Sequence, residues 1–171
     1  MNSRPKRRLY FAAPLFNDSE RTFNKQLAQR LSQYFDVFLP QEDGGLLADM
    51  VAEGIHPGVA ARRVFEIDVD AVKQCDVLLI VLDGRTVDEG AAFELGCAFA
   101  LGKECYGLQT DIRRLLTTGN NPMIDCGLRR VFQSIEELLT WASQSATSLQ
   151  QLFPEPADME MPEQRLIRGH L

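Results

Sequence analysis

In the stretch Asp88-Glu89-Gly90-Ala91-Ala92-Phe93-Glu94-Leu95-Gly96, one carboxylate is out of keeping with its neighbours. Between Glu89 and Lys103 the only ionisable side chain other than a thiol is Glu94, set among Ala91, Ala92, Phe93, Leu95, Ala98 and Phe99. A helix apolar on nearly every face is expected to be buried. A buried carboxylate needs either hydrogen-bond partners or a raised pKa, both common in working residues. The alternative is an ion pair with an arginine of another helix. The small side chains of Gly90, Ala91 and Ala92 leave a ligand room to approach the backbone and reach Glu94. Asp88 lies about 240 degrees from Glu94 around a straight helix, so the two can meet only if Asp88 sits at or before the helix start. Thr86-Val87-Asp88-Glu89 also fits the T-x-x-E spacing of a capping box, a role compatible with a functional one. Two neighbouring carboxylates without a histidine suit an acetal or glycosidic centre, where a carboxylate attacks the anomeric carbon through an oxocarbenium-like transition state.

These residues need a scaffold, and the apolar pattern supplies one. Leu9-Tyr10-Phe11-Ala12-Ala13 reads as a buried strand ended by Pro14, and Asp18 or Ser19 can cap a helix carrying Phe23, Leu27, Leu31 and Tyr34 on one stripe. Val37-Phe38-Leu39 is a second strand, closed by Pro40 and followed by a loop through Gln41, and the segment from Leu46 to Gly58 has no clear period. A helix is expected from about Ala60 to Gln74. The uninterrupted run Val77-Leu78-Leu79-Ile80-Val81-Leu82 is a central strand buried on both faces. A helix from about Asp88 to Leu101, a strand Cys105-Tyr106-Gly107-Leu108 and a last helix over Val131 to Ala142 complete the pattern. Alternating strands and helices predict an α/β fold: a doubly wound parallel sheet of four to five strands, helices on both faces, with ligands at the carboxyl ends of the strands. One domain over residues 8–149 is expected, preceded by a basic flexible terminus (1–7) and followed by a mobile or partner-contacting tail (150–171).

The formal net charge of −6 argues against nucleic acid as a partner, since phosphate backbones demand a concentrated excess of Lys and Arg. No apolar run approaches the roughly 18 to 20 residues that span a bilayer, and the start of the chain lacks a signal-peptide core, so a cytoplasmic protein is expected. Cys75, Cys97, Cys105 and Cys126 include no C-x-x-C pair, and His56 and His170 are the only histidines, so neither a metal nor another cofactor is expected.

With these residues in place, the sequence resembles the nucleoside 2-deoxyribosyltransferase family. The likeness runs from about residue 8 to about residue 142. It rests on Leu9-Tyr10-Phe11-Ala12-Ala13-Pro14-Leu15-Phe16, Leu39-Pro40-Gln41, Asp68, the Asp88 to Gly96 motif and Asn121-Pro122-Met123, in that order. The resemblance implies a flavodoxin-like fold and transfer of a 2-deoxyribosyl group between bases, with Glu94 as the nucleophile of a covalent intermediate and net retention at C1′. It implies that Tyr10 holds Glu94, that Asp88 takes the sugar 5′-hydroxyl, and that Phe16, Gln41 and Asp68 meet the base, Asp68 being also a candidate general acid. Asn121 and Met123 would reach the sugar of a neighbouring subunit, which requires a homo-oligomer, a dimer or higher, with shared active sites. Here proline separates them where the family pattern has leucine. A carboxylate at position 88 repels a 5′-phosphate, so the expected substrates are an unphosphorylated 2′-deoxynucleoside and a free nucleobase. An N-glycosidase using water as acceptor, on a 2′-deoxynucleoside or its 5′-monophosphate, is the rival enzyme reading. A nucleotide-sensing module without turnover is the third.

Overall fold

The computed structural model describes residues 5–111, 113 and 119–152, so the first four residues of the basic terminus and residues 153–171 of the expected tail lie outside the described residues. Five apolar runs form strands: β1 (Arg8–Ala12), β2 (Asp36–Phe38), β3 (Val77–Val81), β4 (Glu104–Leu108) and β5 (Arg130–Phe132). They form one sheet in the order β2-β1-β3-β4-β5, each neighbouring pair parallel. This is the flavodoxin-like doubly wound order, in which the switch point lies between β1 and β3. All five residues of β3 are buried, which explains why its sequence shows no polar alternation.

Among the described residues, six helices connect and cover the strands: α1 (Asp18–Leu31), α2 (Leu47–Ala52), α3 (Pro57–Gln74), α4 (Glu89–Ala100), α5 (Pro122–Asp125) and α6 (Ile135–Leu152), with a π-helical turn at Pro40–Gly44. Helices α1 and α6 pack on one face of the sheet, α3 and α4 on the other. Because successive strand residues point to opposite faces, Leu9 and Phe11 enter the α1/α6 core while Tyr10 and Ala12 enter the α3/α4 core. The stripe expected on α1 is present: Leu27 and Leu31 are buried, with Phe23 and Tyr34 half-buried against them. Its cap is one residue earlier than expected, since the Asn17 side chain accepts from Glu20 N and Glu20 reciprocates as a capping box.

Two expectations are corrected, and one unassigned segment gains a helix. Arg130–Phe132 pairs with Tyr106–Leu108 as the edge strand β5, so the expected helix over Val131 to Ala142 is a strand followed by α6. Ser134 sets the helix start: its Oγ accepts from Glu137 N at 3.1 Å, and the Glu137 carboxylate accepts from Gln133 N and pairs with Arg130. Trp141 then anchors α6 over the sheet, its ring centroid 4.3 Å from Tyr106, 5.3 Å from Phe132 and 5.7 Å from Phe35. Second, the unassigned segment contains α2. Third, α4 is not buried on nearly every side: only Ala91, Leu95 and Ala98 are fully buried, and Phe93 and Phe99 are more than half exposed. Cys75 and Cys105 are buried free thiols, Cys97 is half-buried and Cys126 exposed. Among the described residues no helix is long and apolar enough to cross a membrane.

Candidate active site

Helix α4 begins at Glu89 because Asp88 is its N-cap, with one carboxylate oxygen accepting from Ala91 N at 2.9 Å. Asp88, not Thr86, is therefore the cap, and it sits before the helix, where a shared site with Glu94 requires it. Glu94 follows six residues later, about one and two-thirds turns on. Its hydrogen-bond partner is no arginine but the Tyr10 hydroxyl, which donates to Glu94 Oε1 at 2.7 Å. The Tyr10 ring is fully buried and stacked on Phe38, centroids 5.5 Å apart and planes at 16°. Burial, with Glu94 and Asp68 close by, drives the tyrosine pKa far upward, so its hydroxyl keeps its proton and remains a donor.

Glu94 is itself perturbed. Burial pushes its pKa up to about 8, with Asp68 and Asp88 adding repulsion and the Tyr10 hydrogen bond opposing them. On α3, burial pushes Asp68 up to about 6. Asp68 Oδ1 is buried without a hydrogen-bond partner among the described residues, a state that costs free energy unless a ligand or water meets it. Gly44, at the end of the turn after β2, makes room for it: a Cβ there would stand 2.7 Å from Asp68 Oδ1.

Between α3 and α4 lies a cavity of about 270 Å³, lined by Phe65, Asp68, Val69 and Val72 from one helix and Gly90, Phe93, Glu94 and Cys97 from the other. Each set is spaced i, i+3, i+4, i+7, the single stripe that a helix turns toward a neighbour. The wall is apolar except for the two carboxylates, and Phe65 and Phe93 meet at its rim with ring centroids 6.1 Å apart. Such a site can hold an uncharged, largely planar or ring-shaped ligand against an ionisable carboxylate. Reading the sequence missed Phe65, Val69, Val72, Phe93 and Cys97 as lining residues. The stripe through Asp68 and the one through Glu94 were the signal.

The other predicted residues do not line this cavity. Gln41 lies on the turn that ends at Gly44, half-buried, its Oε1 accepting from Asn24 and its Nε2 donating to Arg21 O. Phe16, in the loop after β1, is 74 % exposed and does not line the cavity. Asn121 caps α5 by accepting from Met123 N at 2.9 Å, and Met123 is 83 % exposed. Within one chain, then, Tyr10, Asp68, Asp88 and Glu94 come together, while Phe16, Asn121 and Met123 stand outside the cavity. Among the described residues no group of three or more His, Cys, Asp and Glu side chains can hold a metal ion.

Comparison with known proteins places this geometry in a family. No curated protein matches the chain. Among solved structures, a conserved protein from Enterococcus faecalis V583 is 27% identical, with a TM-score of 0.65 over 82% of this chain and 99% of that one. A 2-deoxyribosyltransferase from Bacillus psychrosaccharolyticus is 21% identical, with a TM-score of 0.66 over 81% of this chain and 95% of that one. A CMP N-glycosidase from Clostridium botulinum is 17% identical, with a TM-score of 0.51 over 80% and 98%. At these last two identities the likeness establishes the fold. The family model described as nucleoside 2-deoxyribosyltransferase matches residues 9–160, and the chain belongs to the nucleoside 2-deoxyribosyltransferase family.

Proposed function

We propose that this protein transfers a 2-deoxyribosyl group between nucleobases by double displacement at Glu94. The observation that carries the reading is the Tyr10–Glu94 hydrogen bond at the wall of a cavity shared with Asp68. With Oε1 held by Tyr10, the other carboxylate oxygen attacks C1′ as the bond from C1′ to the base nitrogen breaks. The departing base carries the electron pair of that bond and takes a proton from Asp68 or from a water it holds. A second base then attacks C1′, displaces Glu94 and returns the proton, so two inversions leave net retention. Asp88 receives the 5′-hydroxyl, Gln41 and Phe16 contact the base, and Asn121 and Met123 serve the site of a neighbouring subunit in a homo-oligomer. The reaction belongs to nucleotide salvage.

Incubation of a 2′-deoxynucleoside with a different free base tests the reading. The expected product is the exchanged 2′-deoxynucleoside, with denatured-protein mass spectrometry showing a gain of one deoxyribosyl unit that is absent in Glu94→Ala. A second reading, N-glycosidase, is favoured by the half-exposed rim of the cavity at Phe65 and Phe93, which gives water a path to the same intermediate. Strict hydrolysis with no exchanged nucleoside decides for it. Absence of any adduct and any turnover decides for a non-catalytic nucleotide-sensing role.

A further inference from the structure

Helix α4 has no polar outer face. Its buried side is Ala91, Leu95 and Ala98 and its cavity side Gly90, Phe93, Glu94 and Cys97, which leaves Ala92, Gly96, Phe99 and Ala100 toward solvent, with Phe93 at the seam. Phe93 is 53 % exposed and Phe99 59 %, and Phe65 of α3, its ring centroid 6.1 Å from that of Phe93, extends the apolar surface. A contiguous exposed apolar patch marks a surface that meets another molecule. Gly96 points the same way. Glycine inside a helix costs about 1 kcal/mol relative to alanine, and a Cβ at Gly96 would meet nothing within 4 Å among the described residues. A Cβ at Gly90, by contrast, would stand 3.1 Å from Asp88 Oδ2. Packing inside the chain thus gives a reason for Gly90 and none for Gly96, whereas close approach of a second backbone gives one.

The face is also symmetric about Gly96. Ala92 and Ala100 lie four residues to either side and Phe93 and Phe99 three, so all four fall within about 60° of Gly96 around the helix. Seven residues to either side stand Glu89, in the first turn, and Lys103, just past the helix end. Lys103 Nζ donates to Lys73 O at 2.7 Å and keeps two further donors for a carboxylate. Reversing the chain direction therefore sets small residues on small, aromatic on aromatic and acid on base. An isologous contact demands this, because a two-fold axis places each residue after Gly96 against the one as many places before it in the other copy. We propose that α4 packs antiparallel on α4 of a second copy of this chain, with the two-fold axis at Gly96. Phe93 then meets the partner's Phe99, and Glu89 meets the partner's Lys103. Because Phe93 lines the cavity, the partner's Phe99 covers the rim left open at Phe65 and Phe93, and the site is complete only in the pair. This names the surface that joins copies in the homo-oligomer proposed above and stands apart from the chemistry assigned to Glu94.

The test is the mass of the full chain in solution by light scattering, with melting curves to check the fold. Gly96→Arg sets a long charged side chain where the single chain has open space, so the protein should fold and fail to pair. Phe99→Glu places a charge against the partner's Phe93, and Gln29→Arg, exposed on α1 across the sheet, is the control. Wild type and Gln29→Arg should have the mass of an even number of copies, and Gly96→Arg and Phe99→Glu half that mass or less. A monomeric or odd-numbered wild type, or variants that keep the wild-type mass, overturn the proposal. Should Gly96→Arg fail to fold, Phe99→Glu, at a side chain already more than half exposed, decides by the same criterion. Gly96→Cys, treated with a thiol oxidant, should form a covalent pair that wild type does not, since the axis brings position 96 against itself; absence of that pair overturns the register. On any 2′-deoxynucleoside that wild type turns over, monomeric Gly96→Arg should lose most of its activity per chain, and a fully active monomer overturns the rim contact. If wild type turns over none, the proposed activity fails separately and the masses still decide on α4.

Discussion

Replacing Tyr10 with phenylalanine isolates one bond at the centre of the site. The ring stays stacked on Phe38 within the α3/α4 core, so the fold is expected to hold, and what disappears is the hydroxyl that donates to Glu94 Oε1 at 2.7 Å. A hydrogen bond to a charged group contributes about 1.5 to 3 kcal/mol, and one pH unit of titration corresponds to about 1.4 kcal/mol. Glu94 begins with its pKa raised to about 8, and the Tyr10 bond is what opposes a further rise. Without it the carboxylate should titrate about one to two pH units higher. As the proposed nucleophile, Glu94 must be ionised, so kcat/KM at pH 7 should fall roughly 10- to 100-fold, and the ratio of variant to wild type should climb toward one as pH rises through the two Glu94 pKa values. At the alkaline end the variant should recover most of the loss. The assay is steady-state base exchange from about pH 5 to 10, with Glu94→Ala as the floor. A uniform loss at every pH, with the ratio to wild type unchanged, would refute the reasoning, because Tyr10 would then orient the substrate or the backbone rather than ionise Glu94. No loss at all would refute the bond itself.

Glu94→Gln tests the same perturbation through stability. The folded pKa of about 8 lies above the ordinary 4.5, so the folded state binds the proton more tightly than the unfolded chain, and wild-type stability falls as pH rises from about 4.5 to 8. Melting curves should therefore show Glu94→Gln gaining on wild type across that window, and a pH-independent difference would contradict it. Gly44→Ala places a methyl 2.7 Å from Asp68 Oδ1 and should cut kcat/KM about tenfold or more by displacing that carboxylate. The same substitution in an Asp68→Ala background should cost little, and additive losses would show that Gly44 acts elsewhere. Asp88→Ser keeps a good N-cap for α4 while removing a negative charge. It should raise the use of a 5′-monophosphate relative to the nucleoside about tenfold or more, given the strength of like-charge repulsion near a protein surface. An unchanged preference in the kinetic comparison would end the charge argument.

Much of this architecture is legible in the chain because its signals are local. The run from Val77 to Val81 announces a central strand, and the turn after it ends where Asp88 caps α4. The edge strand was not legible for the converse reason. Arg130–Phe132 is three residues long, too short for alternation, and it borders a helix whose apolar residues extend the same pattern. Ser134 and Glu137 carried a start signal that the longer periodic stretch concealed. The burial of α4 was misread because Phe93 and Phe99 look like core residues, yet the helix turns Ala91, Leu95 and Ala98 inward, which leaves Phe93 at the cavity rim and Phe99 more than half exposed. Gln41 was picked out as a base contact, but Asn24, which holds it, gave no signal: a buried amide on an amphipathic helix reads as one more polar residue until its partners are known.

The pairing of Tyr10 with Glu94 depends on two periodicities that the sequence carries separately. Parity along β1 sends Tyr10 and Ala12 toward α3 and α4, so a shift of one residue in the register of β1 would turn the hydroxyl into the α1/α6 core, away from Glu94. The heptad-like stripe on α4 sends Gly90, Phe93, Glu94 and Cys97 to one cavity, so a one-residue insertion between Asp88 and Glu94 would rotate the carboxylate by about 100 degrees along the helix surface. Neither period alone places the Glu94 carboxylate. Their meeting point is set by where Asp88 starts the helix, which makes the cap as much a part of the geometry as the two residues that touch. An insertion of one residue after Asp88 should consequently abolish exchange even in a protein that melts normally, whereas one inserted after Gly102, beyond α4, should leave exchange in place. Equal activity in the two insertion variants, measured alongside their melting curves, would show that the spacing from cap to carboxylate does not set the site.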